Sequence, residues 1–216
     1  SRGAGENLRS LGYEGDYIVM ENGVDVPRGR VSDEAIAAAT GRYDLPQNVP
    51  VFLFVGRLMW YKGIRIILDA LKTLRKKNVD FRMVFVGEGA DGAEIRSYAE
   101  DRKLSDRCFF TGAISDREII RAWYGRSDLF LFPSTFDTNG LVVREAAASG
   151  TATVMIRNSC ASEGVGDGRN GFCIEENAAA MAAKLEELCR APEVMQVVGE
   201  NAQRELYVSW ETAVQR

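Results

Sequence analysis

From Val51 onward the chain alternates short, wholly apolar runs with longer stretches in which apolar residues recur every three or four positions. Runs of four to six apolar residues suit strands covered on both faces, and the three-to-four recurrence suits helices with one covered face. The runs predict strands over 51–55, 81–86, 108–111, 128–132, 151–156 and, on a shorter pattern, 171–174. Between the first two, Ile64, Ile67, Leu68, Leu71 and Leu74 mark one helix face, and further helices are expected over 93–102, 116–126, 139–149, 177–190 and 192–206. This alternation, with connections long enough for right-handed crossovers, predicts an α/β fold built on a doubly wound parallel sheet.

The first fifty residues have a different character. Tyr17-Ile-Val-Met20 predicts a short strand, and Asn22-Gly23 after it marks a turn. The stretch that follows is rich in Gly, Pro and charge and reads as a connector carrying one short helix over 33–39. The division expected is therefore 1–50 as a preceding segment and linker, and 51–216 as one folded domain.

Composition narrows the chemistry. The chain has 216 residues, 46% hydrophobic and 27% charged, enough to bury a full core. Lys plus Arg is 27 against 31 Asp plus Glu, a net charge of -4, so the basic surface of a general nucleic-acid binder is missing. A phosphate ligand then needs locally placed cations. There is no histidine, which excludes Ser/His triads, histidine general bases and most catalytic zinc sites within these residues. Cys108, Cys160, Cys173 and Cys189 form no CxxC pair, a pattern that suits a reducing, cytoplasmic setting. The longest apolar runs are strand-sized and far below the roughly 20 residues of a spanning helix. The opening Ser1-Arg2-Gly3 has no methionine and no signal or transit pattern, and it is expected to be a point within a longer protein.

In a doubly wound sheet ligands lie beyond the carboxyl ends of the strands. Those ends read Gly56-Arg57, Gly87-Glu88-Gly89, Gly112-Ala113 and Pro133-Ser134-Thr135, four loops through which backbone can approach a ligand. Residues 87–92 match GxGxxG between a strand and a helix, the spacing of a dinucleotide fingerprint. The next strand ends in Thr111-Gly112 instead of the acid that would hold a ribose, so these glycines are read as a tight turn.

Two segments carry more chemistry. In GRLMWYKG, residues 56–63, Arg57 follows the first strand and Lys62 stands where the first helix begins, a placement that suits a diphosphate or, more simply, two solvated cations. The segment 132–146 supplies Asp137 in a loop and Glu145 eight residues later on the following helix. Carboxylates accept well from sugar and ribose hydroxyls, while Asn139, Gly140, Leu141 and Val142 offer N–H groups to an anion. Helix capping by Asp137 and a surface position for Glu145 are the alternatives.

With these residues in place the chain resembles the C-terminal, donor-binding domain of the retaining glycosyltransferases of family 4, enzymes of GT-B architecture with two facing Rossmann-like domains. The resemblance runs from Asn22-Gly-Val-Asp25 to Ser209-Trp-Glu211. It rests on the GR…KG segment and on the acidic pair before the small-residue run Ala146-Ala-Ala-Ser-Gly150. Gly87-Glu-Gly89, Phe110-Thr-Gly112 and Asp167-Gly-Arg-Asn-Gly-Phe172 support it. It implies that Gly56, Arg57 and Lys62 hold the donor diphosphate, Glu145 the nucleotide ribose and Asp137 the transferred sugar. Backbone groups of Gly140, Leu141 and Val142 would meet sugar or phosphate, and the loop from Gly112 to Ile114 would lie near the base. Asp137 stands where the family commonly has Glu, and Asn139 where Phe is common.

The same resemblance implies a nucleotide-diphosphate sugar as substrate, a UDP-sugar foremost, with no cofactor and no protein-bound metal. A hexosyl group would pass to a lipid or glycan acceptor held by an N-terminal domain, so these 216 residues alone would bind donor without transferring sugar. The whole protein would be cytoplasmic, with peripheral membrane association open to it. An epimerase of the same architecture and a non-catalytic nucleotide-sugar-binding module are the competing readings; a phosphorylase would need a pyridoxal-phosphate lysine motif, which the sequence lacks.

Overall fold

The computed structural model describes residues 2–18, 22–137 and 140–215. Helices α1 (Arg2–Ser10) and α2 (Asp33–Thr40) precede a regular alternation. Strand β1 (Val51–Val55) leads through a single 3-10 turn at Trp60–Lys62 into α3 (Ile64–Lys76), followed by β2 (Arg82–Val86), α4 (Gly92–Asp101), β3 (Cys108–Gly112) and α5 (Arg117–Arg126). The second half runs β4 (Leu129–Phe132), α6 (Leu141–Ala148), β5 (Ala152–Ile156), β6 (Phe172–Ile174), α7 (Ala178–Arg190), α8 (Pro192–Glu205) and α9 (Trp210–Gln215).

The six strands form one sheet in the order β3-β2-β1-β4-β5-β6, every pairing parallel. This is the doubly wound order, and its direction reverses between β1 and β4. All five residues of β1 are buried, as a strand covered on both faces requires. Phe52 and Phe54 point into one core with Ile64, Leu71, Ile95 and Leu185 of α3, α4 and α7. Val51, Leu53 and Val55 point into the other with Trp123, Tyr124 and Val143 of α5 and α6. A strand that alternates two apolar sets in this way has no polar face, which is why its sequence reads as a continuous run.

Each expected strand from 51 onward is present, with bounds within one residue. Where an expected helix begins one residue early, a capping residue is the reason: Asp116 accepts from the amides of Glu118 and Ile119, and Asn177 from Ala180, while standing just outside α5 and α7. The strand expected over 17–20 is not found at Tyr17 or Ile18, and Val19 and Met20 lie outside the described residues. Ile18 is almost fully exposed, and among the described residues no strand pairs with it. Helix α1 was not expected, since it carries no long apolar repeat, whereas α9 begins at Trp210, where the family resemblance puts the start of a terminal helix.

The connector lies against the sheet domain. Helix α2 packs on α5, Tyr43 sets its ring edge-on to Phe109 and Trp123, and Arg126 donates to the carbonyls of Leu45 and Pro46. Val24 donates to the carbonyl of Val208 at 2.9 Å, bringing the linker beside the start of α9.

Candidate functional site

The loops after β1, β2 and β3 are locked together by backbone contacts. Gly56 donates to Val86, Gly87 to Gly112, and Leu58 to Glu88. Gly87 has φ +137, and a Cβ there would stand 1.9 Å from the Gly56 carbonyl oxygen; a Cβ on Gly89 would stand 2.3 Å from that of Leu58. The glycines of the GxGxxG stretch therefore serve loop-to-loop packing, as the tight-turn reading expects. Asp91 closes the same unit by accepting the Trp60 amide at 2.8 Å.

Locking these loops fixes the short turn that carries Lys62. Gly63, with φ +76, ends that turn and rests directly on Pro133 at the end of β4. Lys62 Nζ thereby reaches Asp137 Oδ1 at 2.6 Å, both side chains largely shielded at 13% and 24% exposure. The second Asp137 oxygen accepts from the buried Ser134 hydroxyl. Asp137 is thus an ion-pair partner and not the cap of α6, whose N-cap is Gly140 with no side-chain bond. Asn139 lies outside the described residues. Arg57 is exposed and donates to Tyr61 Oη at 2.7 Å, with no acidic partner among the described residues.

Gly140, at φ +53, turns the chain into α6, so that the first helical amides, those of Leu141 and Val142, have no intrahelical acceptor. One turn further, Glu145 lines a cavity of about 150 Å3 together with Gly23, Asp25, Arg117, Tyr124, Leu141 and Trp210. Glu145 is half-buried. Burial pushes its carboxyl above the usual range of acids, an effect moderated by the Tyr124 hydroxyl 3.5 Å away and by the charge of Arg117. Arg117 in turn pairs with Asp25 of the linker at 2.5 Å.

The arrangement brings Lys62 and Asp137 into contact, with Arg57 five residues before Lys62 on the same loop, all at the carboxyl ends of β1 and β4. Glu145 stands four residues after Leu141 on α6, about 6 Å along the helix axis, and lines the same cavity as Leu141. Gly112 and Ile114 are further removed, beyond β2 on the outer strand; Ile114 packs partly against the β1 core, and the Gly112 carbonyl is occupied by Gly87. Tyr61, Ser134 and Tyr124 were not singled out in the sequence, because a hydroxyl's partner has no signature in spacing. Among the described residues no group of His, Cys, Asp and Glu is arranged to hold a metal ion, and no helix is long and apolar enough to cross a membrane. The basic end of α3 is spent on ion pairs, Arg75 with Asp106 and Lys77 with Glu186.

A doubly wound parallel sheet with cations and open helix amides at its switch point defines a Rossmann-like domain, and its architecture is that of the C-terminal half of a GT-B glycosyltransferase. Residues 38–205 match the model of the glycosyl transferases group 1, and the chain belongs to that family. It is 29% identical over 209 residues to the D-inositol 3-phosphate glycosyltransferase of Streptomyces avermitilis, covering 92% of this chain and 45% of that protein. The chain thus spans about half the length of the curated relatives it matches. Among solved structures it is similar to the C-terminal domain of the glycosyl transferase group 1 family protein LpcC from Francisella tularensis, with TM-score 0.65 and 24% identity over 74% of this chain and 87% of that one. Anabaena Alr3699/HepE in complex with UDP and glucose gives TM-score 0.80 at 23% identity, over 92% of this chain and 54% of that one.

Proposed function

We propose that this chain is the donor-binding half of a retaining, nucleotide-sugar-dependent hexosyltransferase of family 4, with residues 51–216 holding the donor and residues 1–50 linking to an acceptor-binding domain. The observation that carries this reading is the convergence of Arg57, the Lys62–Asp137 pair and the open amides of Leu141 and Val142 where the strand order reverses. Fixed cations and helix amides at one point suit a diphosphate, whose leaving oxygen gains negative charge as the bond to the anomeric carbon breaks. We assign Glu145, which lines a cavity beside the start of α6, to the ribose and Asp137 to the sugar hydroxyls, since carboxylates accept well from both. Gly56, Gly112 and Ile114 complete the donor side on the strength of the family pattern.

A UDP-sugar is the donor favoured, since UDP and glucose are bound by the similar Anabaena protein. Lipid and glycan acceptors both occur among relatives' names, which include an alpha-monoglucosyldiacylglycerol synthase and a glycogen synthase. The reading requires no cofactor and assigns the chemistry to the cytoplasm, at the membrane surface where the acceptor is a lipid. Calorimetric titration with UDP, GDP and ADP tests it. The double variant Arg57→Ala/Lys62→Ala is expected to bind about tenfold or more weakly, with added salt also weakening the wild type. Unchanged affinity in that variant overturns the assignment.

A further inference from the structure

Arg57 and Lys62 stand five residues apart on one loop, yet they are held in opposite ways. Lys62 is fixed by a carboxylate, Asp137, which balances its charge. Arg57 is fixed by a phenol: Nη2 donates to Tyr61 Oη at 2.7 Å, and no acid approaches it among the described residues. Tyr61 is itself braced. Its ring meets Phe136 edge-on with centroids 5.8 Å apart, and Lys62 Nζ lies 5.3 Å from its centroid. Phe136 adjoins Asp137, so Tyr61 connects the loop after β1 to the loop after β4.

We infer that Tyr61 is a positioning residue that orders the Arg57 guanidinium for an anionic ligand without neutralising it. A free arginine side chain carries substantial rotamer entropy, which a ligand must otherwise overcome on binding. A carboxylate partner would order the guanidinium equally well but would cancel the field that attracts a phosphate. A phenol oxygen accepts one of the five N–H bonds, adds no charge and leaves the remaining donors for the ligand. Nothing in the sequence pattern marks Tyr61 for this role; the hydrogen bond and the aromatic brace do.

The inference rests on the proposed diphosphate role of Arg57, and the test separates the two. UDP and uridine are titrated into the wild type, Tyr61→Phe, Tyr61→Ala, Arg57→Ala and the Tyr61→Phe/Arg57→Ala double variant. Tyr61→Phe, which retains the ring and its packing, is expected to weaken UDP about three- to tenfold, leaving uridine affinity and the thermal midpoint unchanged. In the Arg57→Ala background the same change is expected to have no further effect. If Arg57→Ala weakens UDP but Tyr61→Phe does not, or if Phe fully restores what Ala loses, the ring is merely structural and the inference fails. If Arg57→Ala leaves UDP affinity intact, or the wild type binds neither ligand, the diphosphate reading itself fails and this inference with it.

Discussion

Lys62 and Asp137, 75 residues apart in the chain, meet at 2.6 Å where the loop after β1 touches the loop after β4. The contact makes one charge-balanced unit of two residues that the proposed chemistry uses separately, one for phosphate and one for sugar. A diphosphate arriving here competes with Asp137 for the ammonium. Asp137→Asn is therefore expected to leave UDP bound at least as tightly, because Lys62 is released, while UDP-sugar binding weakens. The same substitution is expected to cost about 1–2 kcal/mol of stability, less than a fully buried pair would, and a cycle with Lys62→Ala measured in urea reads the coupling.

Glu145 carries a cost in stability at the candidate site. Its folded pKa is raised by burial, so its contribution to stability is fully present below its unfolded value and is lost as pH rises through the folded one. At pH 7 the wild type carries that loss and a glutamine does not. Glu145→Gln is expected to raise Tm by about 1–3 °C at pH 7, with the gain vanishing below about pH 4, as thermal melts across that range report. The same variant is expected to weaken UDP and UDP-sugar alike, since both carry the ribose.

Gly63 tests the support beneath Lys62. It adopts φ +76, and a Cβ there would lie 2.1 Å from the Pro133 carbonyl oxygen, a backbone atom that cannot swing aside. Gly63→Ala is expected to cost about 2 kcal/mol or more, lowering Tm by about 4–8 °C. Because the displaced turn carries Lys62, UDP affinity is expected to fall as well, a loss that calorimetry separates from unfolding.

The 216 residues by themselves are expected to bind UDP without turning over a UDP-sugar. On the proposed two-domain reading, closure of a second domain over the donor would supply the orientation that can be worth roughly 7–11 kcal/mol of a barrier. Product formation is followed with UDP-sugars and mixed lipid and glycan acceptors. Turnover comparable with that of a two-domain relative would place the acceptor site and the chemistry within these residues.

The strands and principal helices could be read in advance because burial on two faces leaves no polar position in a run such as Val51–Val55, and burial on one face of α3 leaves a period of three and four. The candidate site was legible to the same depth. Arg57, Lys62, Asp137 and Glu145 stand just after strands or early in helices, where a parallel sheet puts its crevice. Helix α1 left no such mark, being short and without a sustained apolar face. A strand at Tyr17 and Ile18 was expected from a short apolar run, and among the described residues no strand pairs with it; Arg9 of α1 instead lies over the Tyr17 ring.

Sequence alone determined the α/β alternation, the family and the places along the chain where the candidate site residues stand, because each depends on local period or local motif. Only the tertiary structure decided what those groups do to one another. It turned the Gly87 and Gly89 backbone against Gly56 and Leu58, joined Lys62 to Asp137, gave Arg57 a neutral phenol and set Glu145 half-buried in a cavity that the linker helps to line. Each of these contacts either joins residues distant in the chain or depends on which way a side chain turns, and pairings of that kind follow from how loops at neighbouring strand ends pack, which no periodicity in the sequence records.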